Sequence, residues 1–327
     1  MAESRTRGVR PRTILVAGAT IVTLSVVVTA MSVLVTRCSE PAALKEPDRT
    51  ANAPVLAGVL SSGSGKLANP AGLAWDGARL YVCESDAGQL AVFDARGRRR
   101  GSIRIPTAAG AAAAYPASVC ALGGGELAIV DTAASRVVVI RASDDGTARV
   151  VRAIASPKVL QPTAVASDGA RLFVADAADG TIKVFDAVSS HVATPGADLN
   201  PRLTFVTGMA IDGSAIVVAD SNAGRVVVLD SKTGAMLGTL QARFGLPRDV
   251  AALGSGRIAV ADAFERRIAI FVDGKETGVI DQTSVPGADM AAVRALAWDA
   301  GRGRLFAADS RTGTVLAVDV PAGWGTR

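Results

Sequence analysis

Few residues in this chain are equipped for chemistry, and the ones that recur do so at regular spacing. Acidic residues stand at Glu84, Asp131, Asp176, Asp220, Asp262 and Asp309, in steps of 47, 45, 44, 42 and 47 residues. Carboxylates contributed by several units to one axis are one way to cage a divalent cation in oxygen ligands. Each of these residues, however, occupies the same point of its own unit, just before a four-residue loop. That loop often returns with Arg or Thr (Arg136, Thr181, Arg225, Arg267, Thr314), so a carboxylate accepting turn amides accounts for them. The one histidine, His191, falls in VSSHVATPG, which reads as a solvated connection, and a single histidine cannot build a multi-histidine zinc site. Cys83 and Cys120 fall on strands of neighbouring units, either as two buried thiols or as a bridge in an oxidising compartment.

The spacing of the acidic residues leads to the elements that carry them. The phrases RLYVCESDAGQLAVFD, ELAIVDTAASRVVVIR, RLFVADAADGTIKVFD, AIVVADSNAGRVVVLD, RIAVADAFERRIAIFV and RLFAADSRTGTVLAVD are six versions of one unit. Each unit reads as four short strands, because β-branched and aliphatic runs alternate with Gly, Asp, Asn, Ser or Pro. In the third unit the strands are expected at 163–167, 171–175, 181–185 and 202–206. A four-stranded sheet cannot cover both of its own faces, and radial stacking of six such sheets is an all-β, six-bladed β-propeller.

The first strand of every unit supports this arrangement. A sizeable apolar residue (Leu73, Val119, Val165, Met209, Val250, Leu296) is followed by a small one (Ala74, Cys120, Ala166, Ala210, Ala251, Ala297), as a strand beside a crowded axis requires. Trp75 and Trp298 hold equivalent places in units one and six and read as packing. The sixth unit has no fourth strand after Val318. Val55–Leu60 (VLAGVL) is predicted to supply it, closing the ring over residues 55–320 and leaving 321–327 as a tail.

On these residues the chain resembles the NHL-repeat family. The carriers are P-x-G-L-A-x-D followed by R-L-Y-V-x-E-S, and PTAVASDGARLFVADAADGTIKVFD, and the resemblance covers about residues 55–320. YVTN-type repeats, usually with more blades, are the alternative. The resemblance implies a six-bladed propeller and a binding habit more than a reaction. The zinc-dependent lyases among NHL-like propellers rely on several histidines, which this chain lacks.

The N-terminal segment is of a different kind. Arg5, Arg7, Arg10 and Arg12 lie in a basic tail (1–12) ahead of an uncharged apolar stretch (13–36) long enough to cross a bilayer as a helix. Positive charge stays on the cytoplasmic side, so the expectation is a single-pass cell-membrane anchor, a tether over 37–54 and an extracytoplasmic propeller. A cleaved signal peptide (Val28 and Ala30 before the cut) and a lipoprotein site at Cys38 are the alternatives. The apolar run to Val35 favours the anchor, and Arg37 fits lipoprotein processing poorly. Heavy use of Ala, Val, Arg and Gly points to a GC-rich bacterial origin.

Charge and loop content then narrow the function. Five arginines and one glutamate precede residue 38, so the rest of the chain holds 30 basic and 29 acidic groups, which excludes a basic nucleic-acid-binding domain. The channel mouth is expected to be ringed by Ala71, Ala117, Thr163, Thr207, Arg248 and Arg294, with Gly72, Ser118, Ala164, Gly208, Asp249 and Ala295 one step deeper. One carboxylate beside two arginines is not a cation cage. No metal, cofactor or catalytic residue is assigned. The candidate binding face gathers Arg225, Arg243, Phe244, Arg248, Asp249, Phe264, Arg266, Arg294 and Arg311 from units four to six, with two exposed phenylalanines among guanidinium groups. The chemistry fits an acidic peptide, a protein or an anionic glycan, because arginine pairs bidentately with carboxylate and phosphate. The expected function is non-catalytic protein binding or ligand sensing; the alternative is a metal-dependent hydrolase of the lactonase-like kind.

Overall fold

The computed structural model of the protein describes residues 43–47, 51–63, 65–143, 147–186, 190–195, 197–199 and 202–324. The stretch read as an anchor (13–36) and the basic tail before it lie outside these residues. Among the described residues no helix is long and apolar enough to cross a membrane.

Among the described residues, twenty-four strands form six four-stranded antiparallel sheets, the blades of a β-propeller. The second strand of each blade is buried on both faces, which is why it reads as an unbroken apolar run such as LYVC or IAVA rather than an alternating one. Six apolar clusters hold the ring together, each joining one blade to the next. Ile268 and Ile270 of blade five meet Leu305 and Val318 of blade six in one of them. Leu80 and Phe93 of blade one meet Phe306 of blade six in another.

Val55–Leu60 closes the ring as predicted. It pairs antiparallel with Thr314–Asp319, Val55 opposite Asp319 and Leu60 opposite Val315, and so becomes the outer strand of blade six. The tether is not wholly free of the propeller, because Leu44 is buried beside the seam. Its N–H donates to Arg96 O (2.8 Å), Lys45 N–H donates to Ala57 O (3.0 Å), and Gly58 and Gly97 leave room for the leucine side chain. At the other end Trp324 covers Gly278 on the outer strand of blade five.

Blade three departs from the expected boundaries. Its first three strands are Pro162–Ser167, Leu172–Asp176 and Thr181–Phe185, but the fourth is the three-residue His191–Ala193 rather than 202–206. Leu203 and Val206 instead enter the apolar junction between blades three and four, and Val206 begins the next first strand. His191 is therefore a strand residue, though an exposed one, with its Nε2 2.8 Å from Thr194 Oγ1.

Candidate functional site

The recurring acids pin the loops that shape the channel mouth. All six are buried, and all accept main-chain N–H groups from the loop entering their own blade, some sixteen residues upstream. Examples are Tyr115 N–H to Asp131 (3.0 Å), Gln161 N–H to Asp176 (2.9 Å) and Leu246 N–H to Asp262 (2.8 Å). The turn that follows the acid supplies further amides in blades three and six, from Ala178 and from Arg311 and Thr312. The structural role expected of these residues is thus present, but the main donors lie in the preceding connection rather than the adjacent loop. The residue after each acid completes the clamp, its N–H donating to the entry-loop carbonyl in every blade: Ser85 to Asn69, Thr132 to Tyr115, Ala177 to Gln161, Ser221 to Phe205, Ala263 to Leu246 and Ser310 to Ala292.

Cations balance four of these carboxylates. Arg99 reaches Glu84 (2.7 Å), Arg136 reaches Asp131 (3.0 Å), Lys183 reaches Asp176 (2.6 Å) and Arg225 reaches Asp220 (3.0 Å). Burial pushes the Glu84, Asp176 and Asp220 carboxyls up, and the hydrogen bonds they accept outweigh it and hold all three below the ordinary range.

Immediately after each clamp, the first strand carries a β-bulge. Pairing skips from Pro116 to Ser118, Pro162 to Ala164, Val206 to Gly208, Pro247 to Asp249 and Val293 to Ala295, and from Pro70 to Leu73 in blade one. The residues passed over are Ala117, Thr163, Thr207, Arg248, Arg294 and, in blade one, Ala71 with Gly72. A bulge re-aims a side chain away from the ladder. Here it gathers Ala71, Ala117, Thr163, Thr207, Arg248 and Arg294 around one cavity of about 140 Å³. The ring of mouth residues expected from register is therefore brought together. Tyr115, Thr132 and Phe205 also line it, and register of the first strand alone does not find them. The clamp does, because Tyr115 and Phe205 precede a first strand and Thr132 follows an acid.

Below the mouth runs a channel of about 300 Å³ that ends between Trp75 and Trp298. Asp249 is set into its wall, its Oδ1 accepting from Val250 N–H (2.9 Å) and its Oδ2 from Leu296 N–H (2.8 Å) of blade six. Blade two has a counterpart, Ser118 Oγ accepting from Val165 N–H (3.3 Å) of blade three. Gly208 has no Cβ because the Asp249 backbone and carboxylate lie directly over it. Burial pushes the Asp249 carboxyl up to about 7, against the two amides that favour its charged form. Burial, reinforced by the charge of Arg294, holds Arg248 below its ordinary value. Among the described residues neither Arg248 nor Arg294 has a carboxylate partner, and no three metal-ligating side chains converge. Cys83 and Cys120 are free thiols; burial pushes both up, Cys120 to about 12.

The remaining face residues divide. Arg243, Phe264, Arg266 and Arg311 are exposed, Phe264 to 74%. Phe264 lies against Gly245, and Arg266 reaches Asp289 (3.7 Å) and Met290 O (3.4 Å). Phe244 is not exposed as expected: it is 8% accessible and packs on Phe271, ring centroids 5.7 Å apart, in the junction of blades four and five. Arg225 belongs to the Asp220 clamp and to Arg202 O (2.8 Å). The chain matches no family model and no curated protein.

Proposed function

We propose that this chain is a non-catalytic binding module, an NHL-like propeller anchored in the cell membrane that offers the loop face of blades four to six to an anionic ligand or protein partner outside the cytoplasm. The observation that carries this reading is the pair Arg248 and Arg294, two like charges in one mouth without a carboxylate between them. Such a pair gains most from an incoming anion, since walls such as Ala71, Ala117 and Phe205 keep the local dielectric low. Phe264, Arg243 and Arg311 add an exposed aromatic and two more cations at the rim. The chain enters its closing strand at Val55, at the end of the blade opposite Val293 and the mouth.

A photocrosslinking residue placed at Phe264 in intact cells tests this. The expected result is a discrete adduct, absent from the same label at Val150 on the outer strand of blade two and lost in the Arg248→Ala, Arg294→Ala double variant, whose melting temperature is unchanged. Equal trapping from Val150, or trapping indifferent to the two arginines, overturns the assignment.

A further inference from the structure

Resting on that reading of the mouth, we propose that the group it takes is a doubly charged oxyanion, a phosphate group, and that its capture draws a proton onto Asp249.

The mouth has the volume of four or five water molecules, enough for one tetrahedral oxyanion and too small for a peptide segment. Among the described residues its charge comes from Arg248 and Arg294, and the threonine hydroxyls around them are already spent as donors. Thr207 donates to Arg248 O (2.7 Å), Thr132 to Tyr115 O (3.2 Å) and Thr163 to Ala175 O (3.5 Å). Two guanidinium forks opposite small apolar walls match the charge and the several oxygens of phosphate better than the single charge of a carboxylate.

Asp249 decides the balance of charge. It follows Arg248 in the chain and grips Leu296, two residues beyond Arg294, yet both its oxygens point at main-chain N–H groups and neither arginine pairs with it. Charged groups on the strands packed against it are otherwise occupied or distant. Asp220 is paired with Arg225, Asp262 accepts entry-loop amides, Arg257 donates to Ala322 O (3.0 Å) and Asp299 is paired with Arg302, while Asp212 lies at the far end of the blade-four first strand. Of these strands' charged groups, only Arg294 shares the channel with Asp249. With its carboxyl held near neutrality by burial, a second negative charge arriving above it favours the protonated form. Two cations, one dianion and a neutral Asp249 then leave no net charge.

Sulfate, a dianion across the whole range, is the probe, titrated by calorimetry into the full-length chain at pH 5.5, 7 and 8.5. Sulfate should bind about tenfold more tightly at pH 5.5 than at 8.5, as one charge removed from the channel wall that Asp249 shares with Arg294 implies, and more tightly than acetate at every pH. Asp249→Ser copies the arrangement of Ser118 in blade two and so keeps the fold; it should bind sulfate tightly at all three pH values. Arg248→Gln with Arg294→Gln should abolish binding. Inorganic phosphate against glucose 6-phosphate at pH 8.5 then assigns the source, tighter binding of the ester marking a ligand-borne phosphate and tighter binding of the ion a free one. Acetate binding as tight as sulfate, sulfate binding that survives loss of both arginines, or a pH profile unchanged in Asp249→Ser overturns the proposal. Sulfate binding with the expected profile but no crosslinked partner would leave the phosphate site standing and remove the protein-binding reading alone.

Discussion

Arg304 grips both oxygens of Asp319 at the closure seam, Nε to Oδ1 at 2.6 Å and Nη2 to Oδ2 at 3.1 Å, and the same Nη2 donates to Lys45 O (2.5 Å). Both residues are buried, and together they tie the second and third strands of blade six to the segment that enters the ring. Removing one partner of such a pair strands a charge in the interior. Arg304→Leu should therefore cost about 3–5 kcal/mol in denaturant unfolding, whereas replacing both residues by apolar ones should cost far less.

Leu44 is a second clip at the same seam. A Cβ on Gly97 would lie 2.6 Å from Leu44 Cγ, and Gly97 sits at φ +74°. Leu44→Ala should lower stability by about 2–3 kcal/mol through the lost burial. Gly97→Ala should do at least as much, because it both displaces the leucine and strains the turn. A midpoint unchanged in both variants would mean that residues 43–47 do not hold the seam.

Acid should unfold the ring through its clamps. Glu84, Asp176 and Asp220 have folded-state values below those of the unfolded chain, so their contribution is present above pH about 4 and is lost as pH falls through the lower folded values. The unfolding midpoint should drop steeply below pH 4. Asp220→Asn should flatten that drop and cost about 2 kcal/mol at pH 7, since it leaves fewer acceptors for Thr204, Phe205 and Arg225.

Asp249 should act in the opposite sense. Its carboxyl is raised to about 7 in the folded protein, so the stability it allows is present below the unfolded value of about 4 and declines as pH rises through about 7. The stability difference between wild type and Asp249→Ser should move in favour of the variant across that window and stay level above pH 8. A difference independent of pH would show that the carboxyl titrates normally.

Arg266 occupies the left-handed region (φ +55°) at the last loop position before a third strand, where blades one, three, four and six use Gly88, Gly180, Gly224 and Gly313. Blade two likewise carries a non-glycine residue, Ser135, left-handed at this position (φ +47°), so both residues hold strain that a glycine would relieve. Arg266→Gly should raise stability by up to about 1 kcal/mol, the relief of strain exceeding the entropy glycine adds to the unfolded chain. The same variant should weaken the adduct trapped from Phe264.

Blade number, closing strand and mouth ring were all legible because each rests on register, which period and alternation encode directly. The sequence alone sets Asp249 one step below the ring that holds the two arginines, since a first strand of fixed phase leaves no freedom. Burial of Phe244 was not legible: a phenylalanine in a loop reads as exposed until the neighbouring blade, with Phe271, is seen to receive it. The fourth strand of blade three misled for a related reason. Outer strands face solvent and carry little apolar signal, so RLTFV, which packs in a junction, outscored the true edge at His191–Ala193.

The closing strand also dictates the order in which the molecule can be made. Val55–Leu60 is synthesised before any blade, yet its partner Thr314–Asp319 emerges only after blades one to five. Until then the early strand stays without its mate, and blade one lacks the neighbour that covers Leu80 and Phe93. Blades can form one by one as they appear, but the circle can be completed only after Asp319 has left the ribosome, which makes the final pairing a long-range, slow event and the half-built arc the species most exposed to aggregation.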